Sequence, residues 1–240
     1  MLDDIASIDS EIYQLDKEIR KLSNEKKKLQ EKKNALLRSV EEERRLIAES
    51  MEPNWQSQTF PWSNSLHAAA TNLFAFETIR PSQLEVMNAS LSRYDVLAVM
   101  KTGGGKSLCY QLPALAVDHG FTLVVCPLVA LIRDQLRCIN SIAPMAARSL
   151  TSSMERSDQN EVYRAMSACL GPYTPGQLRL LFCTPEKILK SKLLMTHLQR
   201  AYDRHALSRI VLDEAHCASQ WYGTPPFPPP SPVSLMCFHH

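Results

Sequence analysis

The chain has 240 residues, of which 45% are hydrophobic and 22% are charged, and its formal net charge at pH 7 is +2. This mixture is typical of a globular protein and excludes a chain that is disordered throughout, while the small net charge does not by itself predict a nucleic-acid partner. No apolar run is as long as a bilayer span and the chain begins Met-Leu-Asp-Asp, unlike a secretory leader, so we expect a soluble intracellular protein.

Residues 1–50 are predicted to form a coiled-coil helix. Apolar residues recur at alternating spacings of three and four, without proline or glycine, as in a supercoiling seam. The a positions are Ile5, Ile12, Ile19, Lys26, Lys33 and Val40, and the d positions are Ile8, Leu15, Leu22, Leu29 and Leu36.

Isoleucine at a with leucine at d favours two strands, so we predict self-association through these heptads. Lysine at two a positions weakens the pairing but restricts it. The flanking charges leave the orientation open, because the g residues would face e residues that offer no opposite charge. The pairs are Glu11 with Asp16, Glu18 with Ser23 and Glu25 with Gln30. A lone amphipathic helix packed on its own chain is the alternative interpretation.

Residues 51–65 contain two prolines and no periodicity, and are predicted to be a linker. From residue 66 onward, apolar strand-like runs alternate with helical stretches; the runs are DVLAVM, FTLVVC, LRLLFC and SRIVLD. This alternation predicts an α/β domain whose parallel sheet has helices on both faces. Ligands of such sheets bind at the carboxyl ends of the strands, so functional residues are expected at those ends.

A phosphate-binding loop is predicted directly after DVLAVM. The glycine-rich turn comes between a strand and a helix, and its residues are Met100, Lys101, Thr102, Gly103, Gly104, Gly105, Lys106 and Ser107. Glycines let backbone N–H groups close around phosphates, Lys106 can reach the outer phosphates, and the Ser107 hydroxyl can bind Mg²⁺. The general pattern has glycine where this chain has Met100. These residues predict ATP and Mg²⁺ as cofactors.

An acidic pair, Asp213 and Glu214, ends the run SRIVLD. One carboxylate can hold Mg²⁺ while the next orients the attacking water. Taken alone the pair could cap a helix, but downstream of a phosphate loop it predicts the catalytic edge of a nucleotide hydrolase. His216 lies one helical turn further on and is predicted to sense what else is bound.

From Leu66 to Trp221 the chain resembles the first motor domain, a RecA-like domain, of a RecQ-family superfamily 2 DNA helicase. MKTGGGKSLCYQLPAL resembles the family's motif I, CPLVALIRDQ motif Ia, TPEKI motif Ib and DEAH motif II. Lys101 stands where the family usually has proline. The short members of the family also carry a helical amino-terminal segment, and the resemblance implies a nuclear protein whose full-length relatives couple ATP hydrolysis to 3'-5' DNA unwinding.

FAFETIRPSQ resembles the family's motif 0, and this resemblance assigns Gln83 to the adenine edge and Phe76 and Arg80 to stacking around the base. Ile79, where relatives usually have phenylalanine, is predicted to be a core substitution. The resemblance also assigns DNA phosphate contacts to Arg133, Gln135 and Thr184. The alternative is that Gln83 is a polar residue on a helix face and that the basic residues are ordinary surface charges.

After Trp221 the resemblance stops, and residues 222–240 are predicted to be a divergent proline-rich tail. The prolines in it predict that the tail cannot supply the strand that follows motif II in this fold, which would leave the sheet without a central member. We therefore expect an incomplete domain, 66–221, that folds poorly and does not unwind DNA alone.

Three functions remain open on this reasoning. The first is the amino-terminal portion of a RecQ-type ATP-dependent DNA helicase. The second is a non-catalytic protein that acts through its coiled coil on full-length helicase subunits. The third is a phosphate-loop ATPase unrelated to unwinding.

Overall fold

The computed structural model describes residues 14–15, 17–34, 36, 53–101, 103–152, 154–213 and 234–239. The chain divides into two compact units, Met1–Asn54 and Trp55–His240. In the first unit, residues 17–34 form a continuous helix, α1, whose apolar heptad residues are exposed. Within the described part of the chain, no helix has both the length and the apolar character needed to span a membrane.

The second unit is an α/β domain built on a parallel sheet. Its elements, in chain order, are α2 (Ser63–Phe74), α3 (Pro81–Leu91), β1 (Val96–Val99), α4 (Leu108–Ala116), β2 (Phe121–Val125), α5 (Val129–Ile142), β3 (Ala147–Leu150), α6 (Arg156–Ala168), β4 (Leu180–Cys183), α7 (Pro185–Lys190), α8 (Lys192–Asp203), β5 (Leu207–Leu212) and β6 (Ser234–His239). The strand order is β1-β6-β5-β2-β4-β3, and every pairing is parallel.

Helices lie on both faces of this sheet, as the sequence predicts, but at its β1 end one face is uncovered, where Leu97 and Val99 are 73% and 72% exposed. Successive strand residues point to opposite faces, so Val124 joins the core under α2 to α5, whereas Leu123 joins the core under α6 to α8. All five residues of β2 are buried, which explains its continuous apolar run. The predicted fold class, a parallel sheet flanked by helices, is confirmed.

The prediction that the tail cannot provide the missing strand is wrong. β6 lies between β1 and β5, with Val96 opposite Met236 and Val211 also opposite Met236. The last proline of the tail is Pro232, so β6 retains all of its N–H donors for the two ladders. The Leu235 N–H also donates to an Asp95 carboxylate oxygen at 2.8 Å. The sheet therefore has its central member, and the expected gap between β1 and β5 does not arise.

Two further features of the structure, one strand and one packed segment, were not predicted from the sequence. β3, with the polar residues Arg148 and Ser149 at its centre, was not among the predicted strand runs, and it lies at the sheet edge. The segment 55–62, inside the predicted linker, packs against α3: the Asn88 amide donates to the Trp55 carbonyl at 2.7 Å and accepts from the Trp62 indole at 2.8 Å.

Two buried arginines form an ion pair and hydrogen bonds between segments at the amino ends of the strands. Arg209 and Asp118, 1% and 4% exposed, form an ion pair at 2.7 Å. Arg179 is fully buried and donates to the carbonyls of Gly120 and Gly171, both at 2.7 Å. This polar network lies at the end of the sheet opposite the phosphate loop, so it fixes the strands without entering the site.

Candidate functional site

The predicted site residues follow four strands that end at one edge of the sheet. The phosphate loop follows β1, the Cys126–Leu128 turn follows β2, Thr184 follows β4 and Asp213 follows β5. Because parallel strands present their carboxyl ends together, this edge is where a ligand meets all of these residues.

The phosphate loop adopts a shape that depends on two of its glycines. Gly103 and Gly105 have φ angles of +76° and +78°, in the left-handed region that L side chains rarely occupy. The Gly104 N–H donates to the Lys101 carbonyl at 2.9 Å, which closes a turn, and α4 begins directly after the loop. The loop thus delivers the chain into the amino terminus of a helix, where backbone N–H groups favour an anion.

Gln83 holds this loop from α3. Its side chain is 4% exposed, and its amide donates to the carbonyls of Gly105 at 3.2 Å and Gly104 at 3.4 Å. Its carbonyl oxygen accepts from the Arg80 N–H at 3.1 Å, which is the half of a capping box that a glutamine at the third helical position supplies. The residue predicted to read adenine is thus brought against the phosphate loop, with its carboxamide bonded within the protein.

The other two residues predicted around the base lie at the start of the same motif. Arg80 is exposed and is the N-cap residue of α3. Phe76 is 47% exposed and stacks on Phe74 with 6.3 Å between ring centroids. Ile79 is buried in the core, so its prediction as a core substitution is confirmed. An exposed ring and an exposed guanidinium beside Gln83 offer flat surfaces on which a base can stack.

Asp213 lies at the carboxyl end of β5, and its charge acts on a tyrosine of α4. Its N–H donates to the Val125 carbonyl at 2.9 Å, which holds it in line with the sheet just beyond β5. Burial raises the pKa of Tyr110, the Asp213 carboxylate raises this pKa further, and the Ser107 hydroxyl opposes the shift. Asp213 and Ser107 therefore both act on one buried hydroxyl. Their hydroxyl and carboxylate oxygens are hard donors of the kind that Mg²⁺ binds, so the pair fits this cation.

Three predicted site residues, Thr102, Glu214 and His216, lie outside the described residues. The predicted linker and tail also fall partly outside them.

The residues predicted to contact DNA differ in their surroundings. Arg133 is exposed on α5. Gln135 is half-buried and accepts a hydrogen bond from the Gln111 amide of α4. Thr184 is 6% exposed, and its hydroxyl accepts from the Lys187 N–H as the N-cap of α7. Arg133 thus lies in solvent, whereas the side chains of Gln135 and Thr184 are hydrogen-bonded within the protein.

Tyr110 and Phe238 support the site and were not predicted as part of it. Both are fully buried, and their rings are 6.0 Å apart between centroids. Tyr110 stands three residues after Ser107, on the first turn of α4, so its position next to the phosphate loop was a readable signal. Phe238 carried no such signal, because only the pairing of β6 brings it to α4.

Comparison with known proteins agrees with this geometry. A model of the DEAD/DEAH box helicase family matches residues 80–226. The chain is 43% identical over 167 residues to a protein of Rattus norvegicus named ATP-dependent DNA helicase Q1. It is also 43% identical over 172 residues to ATP-dependent DNA helicase Q-like 4B of Arabidopsis thaliana, and 38% identical over 166 residues to ATP-dependent helicase SGS1 of Saccharomyces cerevisiae.

These matches cover most of this chain but a minor part of each relative. The alignment with the rat protein covers 70% of the chain and 26% of the relative, and that with the Arabidopsis protein covers 72% and 14%. Among solved structures, the DUF1998 helicase MrfA bound to DNA and AMPPNP matches with a TM-score of 0.53 at 18% identity, over 73% of this chain and 26% of that one. This last likeness concerns the fold alone.

Proposed function

The chain belongs to the DEAD/DEAH box helicase family, and from this premise we propose that it is the amino-terminal, ATP-binding portion of a RecQ-type ATP-dependent DNA helicase. The observation that carries the proposal is the phosphate loop with its two left-handed glycines, set at the same sheet edge as Asp213. Relatives that match over about 70% of this chain are named as ATP-dependent DNA helicases, which supports the proposal.

In the proposed nucleotide site, the loop amides and the half-buried Lys106 bind the phosphates, and Ser107 and Asp213 hold Mg²⁺. The cation would neutralise negative charge on the phosphates when bound. Glu214 orients the attacking water and His216 senses the bound state, as the resemblance implies for their positions. Met100, Lys101 and Thr102 complete the loop around the phosphates.

We assign Gln83, Arg80 and Phe76 to the base. The Gln83 carboxamide must exchange its bonds to Gly104 and Gly105 for bonds to the adenine edge. Because Arg80 and Phe76 are exposed, neither has to be uncovered before the base stacks on it.

The test is titration of the purified chain with Mg²⁺ and a nonhydrolysable ATP analogue in a calorimeter. We expect saturable binding that Lys106→Ala weakens by at least about tenfold, because the ammonium group contributes charge-assisted hydrogen bonds to phosphate. Arg204→Ala is the matched control, since Arg204 is an exposed basic residue just before β5, at the end of the sheet opposite the phosphate loop. Absence of magnesium-dependent binding, or equal effects of the two substitutions, would overturn the proposal.

For DNA, we propose that the strand backbone crosses the carboxyl edge of β2 and β4 near Arg133. Gln135 and Thr184 act there chiefly by fixing α5 and α7, with backbone N–H groups beside Thr184 facing the phosphates. Such contacts weaken as salt is raised. Fluorescence anisotropy of a labelled single strand should show Arg133→Ala binding more weakly than the wild type, with a shallower salt dependence.

The chain spans about a quarter of the length of the Q1 relatives, so unwinding is assigned to a longer protein. We propose that this portion alone does not separate strands, and that it works in the nucleus. The exposed heptads of α1 favour a second function, in which the chain associates with other copies of the helicase and modulates them. Strand separation by the purified chain, abolished by Lys106→Ala, would overturn the first statement.

A further inference from the structure

A stripe of large apolar side chains along α1 lies in solvent. Five heptad residues, three in α1 and two helical residues just beyond its ends, are 58% to 63% exposed, although each is of a type that proteins usually bury; they are Leu15, Ile19, Leu22, Leu29 and Leu36. Lys26 and Lys33 continue the stripe at the a positions. A helix with such a seam is marginal by itself and is stabilised when the seam is covered.

The two lysines decide how a second copy can cover it. In a parallel pair each a residue faces its own counterpart, so Lys26 would meet the partner's Lys26 and Lys33 the partner's Lys33 within the seam. Reversing one helix places every a residue against a d residue. Each lysine then packs its methylene stem against a leucine and extends its ammonium group to solvent.

The g positions select the register of the reversed pair. When one helix is reversed, g residues of the two chains flank each other, and the described g residues are Glu18, Glu25 and Lys32. One register sets Glu25 beside the partner's Lys32, twice by symmetry. A slip of one heptad in one direction brings Glu25 against the partner's Glu25, although it also sets Glu18 beside the partner's Lys32 twice. A slip in the other direction brings Lys32 against the partner's Lys32. Only the first of these three registers avoids a like-charge pair.

We propose, resting on the self-association proposed above, that α1 pairs with α1 of a second copy as an antiparallel coiled coil. In it Ile19, Lys26 and Lys33 face the partner's Leu36, the partner's Leu29 and the partner's Leu22. Glu25 lies beside the partner's Lys32. The two remaining parts of the chains therefore leave the coiled coil at opposite ends.

The experiment is a charge-swap cycle in the full chain, with the dissociation constant of the dimer measured by sedimentation at 0.15 M salt. Glu25→Lys and Lys32→Glu each convert two attractive contacts into two repulsive ones, so each should weaken the dimer by about tenfold. The double variant restores both attractions with the signs reversed, and its dissociation constant should return to within about threefold of the wild-type value. Mixing the two single variants should give the heterodimer in preference to either homodimer.

Glu31→Lys and Lys28→Glu are the matched controls, because they change the net charge equally at the outward-facing f and c positions. They should leave the dissociation constant within about threefold of the wild-type value. In a parallel dimer Glu25 faces Gln30, so an associating chain that is indifferent to the swaps overturns the orientation. Unchanged association of Glu25→Lys combined with weakening of the double variant overturns the register.

A wild-type chain that sediments as a monomer at every concentration overturns the association itself, and with it the second proposed function. Capture of the seam by a different protein, with no self-association, overturns the association equally. Neither result bears on nucleotide binding by residues 55–240, which the Lys106→Ala titration tests separately.

Discussion

At the scale of single residues, the phosphate loop and Gln83 constrain each other. Gly105 needs its left-handed φ of +78°, and a Cβ at this position would lie 2.2 Å from the Gln83 amide nitrogen. Gly103 has a similar φ of +76° but no heavy atom within 4 Å of a Cβ. An alanine at position 103 would therefore introduce backbone strain alone, whereas an alanine at position 105 would also collide with a side chain.

We expect Gly103→Ala to lower the free energy of unfolding by about 1 kcal/mol, from backbone strain alone. Gly105→Ala should cost about 2–4 kcal/mol, because it also displaces the buried Gln83 carboxamide from its hydrogen bonds. Urea unfolding measures both. In the Gly105→Ala background, Gln83→Ala should be less costly than in the wild type, and strict additivity would contradict the collision.

The buried thiols give a prediction about pH. Burial raises the pKa of Cys109 from its ordinary value of 9.0 to about 12, and that of Cys183 to about 12. Both stay protonated in the folded chain at pH 8, where the thiolate is the reactive form. Mass-spectrometric mapping after alkylation should find the exposed Cys138 modified first, with Cys109 and Cys183 protected until urea unfolds the chain.

The raised pKa values of Cys109 and Cys183 also determine how the free energy of unfolding changes with pH. An unfolded thiol ionises near pH 9 while these two stay protonated up to about 12, so the folded state holds the protons more tightly. Their contribution to stability is complete below pH 9 and is lost as the pH rises from 9 to 12. Rapid modification of Cys109 in the native chain at pH 8 would contradict this burial.

The positions of the glycines and Lys106 after β1, and of Asp213 after β5, could be predicted because each directly follows an apolar run in the sequence. The present partners of Gln83, Gln135 and Thr184 could not, since each depends on which neighbouring element comes within hydrogen-bond distance. Sequence gives the chemical class of such a side chain, whereas tertiary packing decides whether its polar atoms are already bonded.

At the scale of elements, β6 shows where sequence reasoning gave too much weight to composition. Proline removes N–H donors only at its own position, and the six residues of β6 contain none. β2, β4 and β5 were readable as apolar runs because both of their faces are buried. β3 is interrupted by polar residues and β6 directly follows a proline-rich stretch, so only the ladders formed with neighbouring strands identify them.

We expect Phe238→Ala to lower the free energy of unfolding by about 3–5 kcal/mol, since the ring is fully buried against Tyr110. Leu235→Ala, on the same strand but 36% exposed, should cost below about 1.5 kcal/mol. Because Tyr110 lies beside Ser107 and Asp213, Phe238→Ala should also weaken binding of the magnesium nucleotide at temperatures where the chain stays folded. Equal and small losses for both variants would show that β6 does not stabilise the sheet.

At the scale of the whole molecule, the division into two units places the boundary at Asn54, inside the predicted linker. The segment after it belongs to the α/β domain, because Trp55, Phe60 and Trp62 stack in series at 6.1 Å and 5.3 Å between ring centroids. Proline and the lack of periodicity correctly indicated irregular backbone here. They did not reveal that its aromatic side chains pack, since that depends on α3 and Tyr94.

Residues 55–240 should therefore retain the nucleotide affinity of the full chain within about threefold, while losing the association that depends on α1.

Residues 63–240 differ only by removal of the aromatic segment, and we expect them to unfold at lower urea concentration. Asn88 is fully buried, and this cut removes all three of its side-chain hydrogen bonds, to the Trp55 and Ser57 carbonyls and the Trp62 indole. Water replaces the segment there, so each lost hydrogen bond should cost only its net contribution of about 0.5–1.5 kcal/mol. Sedimentation, calorimetry and urea unfolding of the two fragments test this together, and equal stability of the fragments would mean that the segment is a linker after all.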